Sequence, residues 1–161
     1  MRKKIDWLLE RVLVFLMAMM VINITWQVIS RYVFQSPSNY TEEISSYMMV
    51  WMCFLGGSYL FGKKLHPSID FLVEKFSIER RKMIEYFIDF MLTVFTIFVL
   101  LIGGLRLVYV TYILDQRSAA TNLPIAIVYG IIPISGIFML IYIYLKNTER
   151  VQQNSSSEPQ K

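Results

Sequence analysis

The sequence predicts an all-α integral membrane protein of four transmembrane helices. Three observations carry that prediction: four long runs without Asp, Glu, Lys or Arg, a one-sided distribution of cations around them, and aromatic residues gathered at their ends. Hydrophobic side chains make up 55% of the 161 residues and charged ones 17%, an apolar excess over an ordinary soluble domain. A hydrocarbon layer ~30 Å thick needs ~20 apolar residues in a helix that rises 1.5 Å per residue. Residues 12–30, 44–62, 90–105 and 118–145 are the uncharged runs.

Span 1 is expected over about 12–34. Its start, "MRKKIDWLLERVLVFLMAMM", has the basic head of a signal peptide, but the apolar run exceeds the ~7–15 residues of such a segment and no small-residue cleavage site follows, so it reads as retained. Arg31 lies ~28 Å along the helix from Val12 and so reaches the far surface, where an arginine can snorkel. Asn23, Gln27, Ser30 and Arg31 make a polar stripe on this helix, and such a stripe faces protein in preference to lipid.

The connection "RYVFQSPSNYTEE" (31–43) makes spans 1 and 2 adjacent and antiparallel, with Pro37 holding Ser36 out of the helical region. Two readings of its charges stand. In one, Asn39 caps span 2, Glu42 and Glu43 favour the positive helix end, and Arg31 is an anchor. In the other, Arg31, Glu42 and Glu43 form a hairpin clasp or a face that meets another protein. An exposed ion pair contributes only ~0–1 kcal/mol, so stability alone is a weak reason for the arrangement.

Span 2 is expected over about 42–62. Cys53 with Gly57, and Ser58 with Gly62, repeat the small-xxx-small spacing that lets helix backbones approach closely. With Cys53 the sole cysteine, no disulfide within the chain is possible. In the next connection Ile69, Leu72, Val73 and Phe76 fall at i, i+3, i+4 and i+7, which predicts a short amphipathic helix over about 69–76 lying on the membrane surface.

Span 3 is expected over about 83–112, with Asp89 and Arg106 sending their charges to opposite surfaces. Span 4 is expected over about 123–145. Asn122 or Thr121 is its candidate cap, Pro124 sits where no backbone donor is needed, and Pro133 should kink it. Residues 146–161 form a polar tail without periodicity, predicted to be disordered.

A net charge of +4 is compatible with a nucleic-acid partner, but the cations report topology instead. Of the 16 Lys and Arg, only Arg31, Arg106 and Arg117 fall on the side of the 31–43 loop. The positive-inside rule therefore places both termini in the cytoplasm. Chemistry of the chain's own is not indicated. His66 is the single histidine, so a bis-histidine haem is excluded, and no second His or Cys is spaced to help it hold a metal. No cofactor is expected, and clustered intramembrane acids or a nucleophile with a base are lacking. A self-sufficient four-helix exporter working as a dimer is the alternative, but it usually needs an ionisable group deep in a span, and spans 1 and 2 offer none.

"RYVF" ending span 1, "TEEISSYMMVWMCFLGG" through span 2, "HPSID" after it and "NLPIAIVYGIIP" entering span 4 together resemble the small membrane subunit (Q type, DctQ-like) of tripartite ATP-independent periplasmic, or TRAP, transporters. The resemblance covers most of residues 1–145; Pro67 departs from it. It implies an accessory subunit of the bacterial inner membrane, packed on the scaffold of a large membrane subunit that performs sodium-coupled uptake of an organic acid delivered by a periplasmic solute-binding protein. By the same resemblance, Arg31, Glu42 and Glu43 match a charged outer hairpin near the large subunit or the docked binding protein.

Overall fold

A computed structural model describes residues 2–36, 38–63 and 78–156. The chain is helical, and four of its helical stretches are long and apolar enough to cross a membrane: Arg2–Tyr32, Asn39–Gly62, Tyr86–Ile113 and Ile125–Thr148. Span 1 is one helix, α1 (Arg2–Tyr32), and span 2 is α2 (Asn39–Gly62). Span 3 joins α3 (Ile78–Phe95), a π-helix (Thr96–Gly103) and α4 (Gly104–Ile113). Span 4 joins α5 (Ile125–Tyr129) to α6 (Ile131–Ser156). The expected surface helix, with Ile69, Leu72, Val73 and Phe76, lies outside the described residues, as does His66.

Several local details add to or differ from what was expected. The helix that carries span 1 extends back to Arg2, ahead of the expected span, because no Gly or Pro interrupts the sequence up to Tyr32. Ser38, not Asn39, is the N-cap of α2, and it makes no side-chain cap bond. Pro124 is itself the N-cap of α5. Asn122 takes a left-handed backbone, φ 55°, and cannot cap that helix. α6 runs on to Ser156, through the first part of the 146–161 tail, since Lys, Glu, Arg and Gln are good helix formers and nothing there breaks the ladder; residues 157–161 lie outside the described residues. Span 4 is interrupted by a turn at Gly130, ahead of Pro133. Pro133 has no N–H for the carbonyl of Tyr129 and its ring crowds that carbonyl, which accounts for a break one turn before the proline.

Among the described residues the four spans stand in a row, with no packing of span 1 against span 3. α1 packs along α2, α2 along α6, and α6 along the π-helix and its flanks, giving the spatial order 1-2-4-3. Spans 1 and 3 occupy opposite edges of the row. Small residues set the closest approaches: a Cβ on Gly62 would overlap the ring of Tyr142, one on Gly104 would lie 2.9 Å from Ile132 Cγ2, and one on Gly136 would lie 3.0 Å from Leu100 Cβ. The shared core lies along spans 2 and 4, with Leu55, Phe61, Met139, Tyr142 and Ile143 joined by Leu9 and Leu16 from α1 and Leu100 from the π-helix.

Polar groups inside the row are satisfied in place. The Ser58 hydroxyl lies 3.0 Å from the carbonyl of Ser135 and 3.1 Å from that of Phe54, a single hydrogen shared between two acceptors. Trp51 Nε1 donates to the carbonyl of Val128 at 3.1 Å, next to the break in span 4. In hydrocarbon an unmet carbonyl costs several kcal/mol, so this indole substitutes for helix bonding that the interruption disturbs.

Candidate functional site

The row has two differently built ends. One carries both helix ends near the chain termini, here the terminal end; the other carries the loops 33–38 and 114–124, the loop end. At the terminal end Asp6 gathers three spans: Tyr142 OH donates to Asp6 Oδ1 at 2.6 Å, Lys63 Nζ lies 3.8 Å from Asp6 Oδ2, and the Arg2 guanidinium donates to the carbonyl of Gly62. Asp89, buried on span 3, pairs with Lys146 of span 4 at 2.7 Å. The sequence reading sent Asp89 toward a surface; its charge is instead met inside the chain.

At the loop end the polar stripe of span 1 divides. Asn23 Nδ2 donates to the carbonyl of Thr41 at 2.7 Å and to Ser45 Oγ at 2.8 Å, joining span 1 to the start of span 2. The buried Ser30 hydroxyl donates to the carbonyl of Ser36 at 2.6 Å, and the N–H of Ser36 donates back to the carbonyl of Ser30 at 3.1 Å. These bonds hold a tight loop in which Gln35 is left-handed, φ 51°. Gln27 is half-buried, and Arg31 and Glu42 are exposed.

Glu43 faces the other loop. Its carboxylate accepts from the Ser118 hydroxyl, from the N–H of Ala120 at 3.0 Å, from the N–H of Thr121 at 3.1 Å and from Thr121 Oγ1 at 3.2 Å. The receiving loop has its own frame: Ser118 N–H donates to Leu123 O, Asn122 N–H to Ser118 O, and Ile125 N–H to Gln116 O. Asp115 and Asn122 are left-handed, and Arg117 pairs with Asp115 at the exposed rim, 3.1 Å apart. A carboxylate holding several donors in a partly dry site binds them strongly. Glu43 thus fixes the 118–121 turn against the start of span 2, while Arg31 and Glu42 are left pointing out of the fold. Arg31 makes no ion pair with Glu42 or Glu43 among the described residues.

The two small-residue pairs of span 2 also separate. Ser58 and Gly62 are buried against span 4, whereas Cys53 and Gly57 are exposed, and nothing lies within 4 Å of a Cβ built on Gly57. Sequence reasoning missed Ser118 and Thr121. The one signal for them was composition: "RSAATN" supplies hydroxyls and backbone donors at the depth of a glutamate that needs donors. Among the described residues no group of three or more His, Cys, Asp or Glu is placed to hold a metal ion. The arrangement anchors the two loops to each other and leaves Arg31 and Glu42 exposed.

Comparison with known proteins accords with this. Residues 20–153 match the family described as tripartite ATP-independent periplasmic transporters, DctQ component. A protein of Haemophilus influenzae described as a TRAP transporter small permease is 33% identical over 86 residues, 53% of this chain and 53% of that one. The sialic acid TRAP transporter small permease protein of Vibrio cholerae is 31% identical over 75 residues, 47% of this chain and 43% of that one. The matches thus span about half the length of these curated relatives. With more than three quarters of its residues inside the family match and four helices long and apolar enough to cross a membrane, the chain belongs to the DctQ component family of the tripartite ATP-independent periplasmic transporters.

Proposed function

We propose that the chain is the accessory membrane subunit of a TRAP-type secondary transporter, packed on the fixed scaffold of a large multi-span subunit that performs sodium-coupled uptake of an organic acid. A periplasmic binding protein delivers the solute. The observation that carries this reading is the open row: of the 31 residues of α1 only Leu9, Leu16 and Ser30 are buried within the chain, whereas 44% of the apolar stretch of span 4 is. A helix so little covered has its whole outer face available for lipid and for a partner, which suits a subunit that broadens another protein's footprint in the membrane. The loop end, with Arg31, Glu42 and the turn held by Glu43, is the periplasmic end in this reading, and both termini are cytoplasmic in the bacterial inner membrane. A periplasm-active reporter fused after Asn39 or Ala119 is expected to work and one after Gln153 to stay silent; activity at Gln153 would reverse the orientation.

The Cys53–Gly57 strip of span 2 is the proposed line of closest approach to the large subunit. Gly57→Leu is expected to leave the stability of the isolated chain within ~0.5 kcal/mol, because the new side chain meets open space. Co-purification with the large subunit should fall severalfold. Unchanged co-purification, with Arg31→Gln and Glu42→Gln also neutral, would remove both proposed contact surfaces.

A further inference from the structure

The outer edge of span 3 carries an exposed cation, Arg106, with no acidic partner among the described residues. It lies ~10 Å along the helix from Ile113. The membrane-capable stretch Tyr86–Ile113 has 28 residues, and is therefore ~42 Å long against a hydrocarbon layer of ~30 Å, so both ends enter the headgroup zone. Centred in the bilayer, that stretch places the Arg106 backbone a few ångströms inside the hydrocarbon edge, from where its guanidinium reaches the phosphate layer by snorkelling.

The surroundings narrow the counter-ion. Leu105, Arg106, Val108, Tyr109 and Tyr112, all on one helix, line a shallow, open groove on the edge of the row. Its wall is aliphatic below the cation, and its two tyrosines have the amphipathic character of residues at a headgroup boundary. This is the complement of a molecule with an anion at one end and hydrocarbon at the other. At the phosphate layer that the guanidinium reaches, lipid phosphates are already present along any lipid-facing edge, whereas an acidic side chain would have to be brought there by another protein. We infer that this groove binds one glycerophospholipid of the leaflet at the loop end, with Arg106 holding the phosphate and Leu105, Val108 and the tyrosine rings lying along the upper acyl chain. The inference goes beyond the transport reading and requires only that span 3 crosses a bilayer.

The test uses the full chain in mild detergent, mixed separately with phosphatidylglycerol, phosphatidylethanolamine and diacylglycerol of the same acyl chains, with retained lipid counted by native mass spectrometry. Both phospholipids should be retained at one per chain and diacylglycerol should not. Arg106→Gln should weaken retention about tenfold, as expected for loss of a charged hydrogen bond, and Arg106→Lys should retain most of it. Inorganic phosphate should not displace the lipid. Equal retention by wild type and Arg106→Gln, or retention of diacylglycerol as strong as that of phospholipid, would overturn the assignment. So would displacement by inorganic phosphate, which would make the site a general anion site. Loss of a co-purifying membrane subunit from Arg106→Gln with lipid retention unchanged would give the groove to a protein carboxylate instead. Should Arg106→Gln not fold, the wild-type comparison of phospholipid with diacylglycerol still decides the matter.

Discussion

Lys146→Met should destabilise the chain by about 3 kcal/mol, read as a shift in detergent unfolding, because it leaves the Asp89 carboxylate buried without its ammonium. Breaking a buried pair from one side costs ~3–5 kcal/mol, and the lower end applies because Asp89 has interactions besides Lys146. Asp89→Asn should cost less, about 1 kcal/mol: the Lys146 side chain is one-fifth exposed and its long stem can carry the charge to the surface. The double variant should fall near Asp89→Asn, not at the sum of the two. Equal costs for both single changes would show that the carboxylate is not desolvated as described.

Gly62→Leu should cost a similar amount, about 3 kcal/mol, by a different route. Gly62 is buried at the crossing of spans 2 and 4, and any Cβ there overlaps the Tyr142 ring, which is 2% exposed and has nowhere to move. Overpacking of this kind costs ~1–3 kcal/mol, and displacing the ring also breaks the 2.6 Å bond from its hydroxyl to Asp6, a charged acceptor worth ~1.5–3 kcal/mol. Adding Tyr142→Leu to Gly62→Ala should recover part of the packing loss but none of the Asp6 bond. A Gly62→Leu variant as stable as wild type would mean that the two spans do not cross at this glycine. The contrast with Gly57, one turn earlier and facing open space, makes the pair a test of which face of span 2 is internal.

How much of this was legible in the sequence depended on whether the cause was local. The four spans were, because excluding charge from ~30 Å of hydrocarbon leaves a mark along the chain itself. The interruption of span 4 was foreshadowed by Pro133, although it falls at Gly130, where the missing N–H is felt. The π-helix of span 3 was not foreshadowed: "TIFVLLIG" is apolar on every side, so its periodicity cannot distinguish one helical winding from another. Asp89 read as a surface charge because its partner Lys146 belongs to another span, and Glu43 read as a helix-end charge or a member of a clasp with Arg31 because its donors Ser118 and Thr121 are far away in sequence. The row order 1-2-4-3 has the same origin, since amphipathic patterns show that a helix has a buried side without naming what covers it.

The central claim, that this chain serves another subunit's transport and performs none itself, is tested most directly by reconstitution in liposomes under an imposed sodium gradient. The large membrane subunit with its binding protein would be assayed for organic-acid uptake with and without this chain, beside liposomes holding this chain alone. The account predicts uptake from the complete set, little or none when this chain is left out, and none from this chain by itself. Saturable uptake by the chain alone would contradict it.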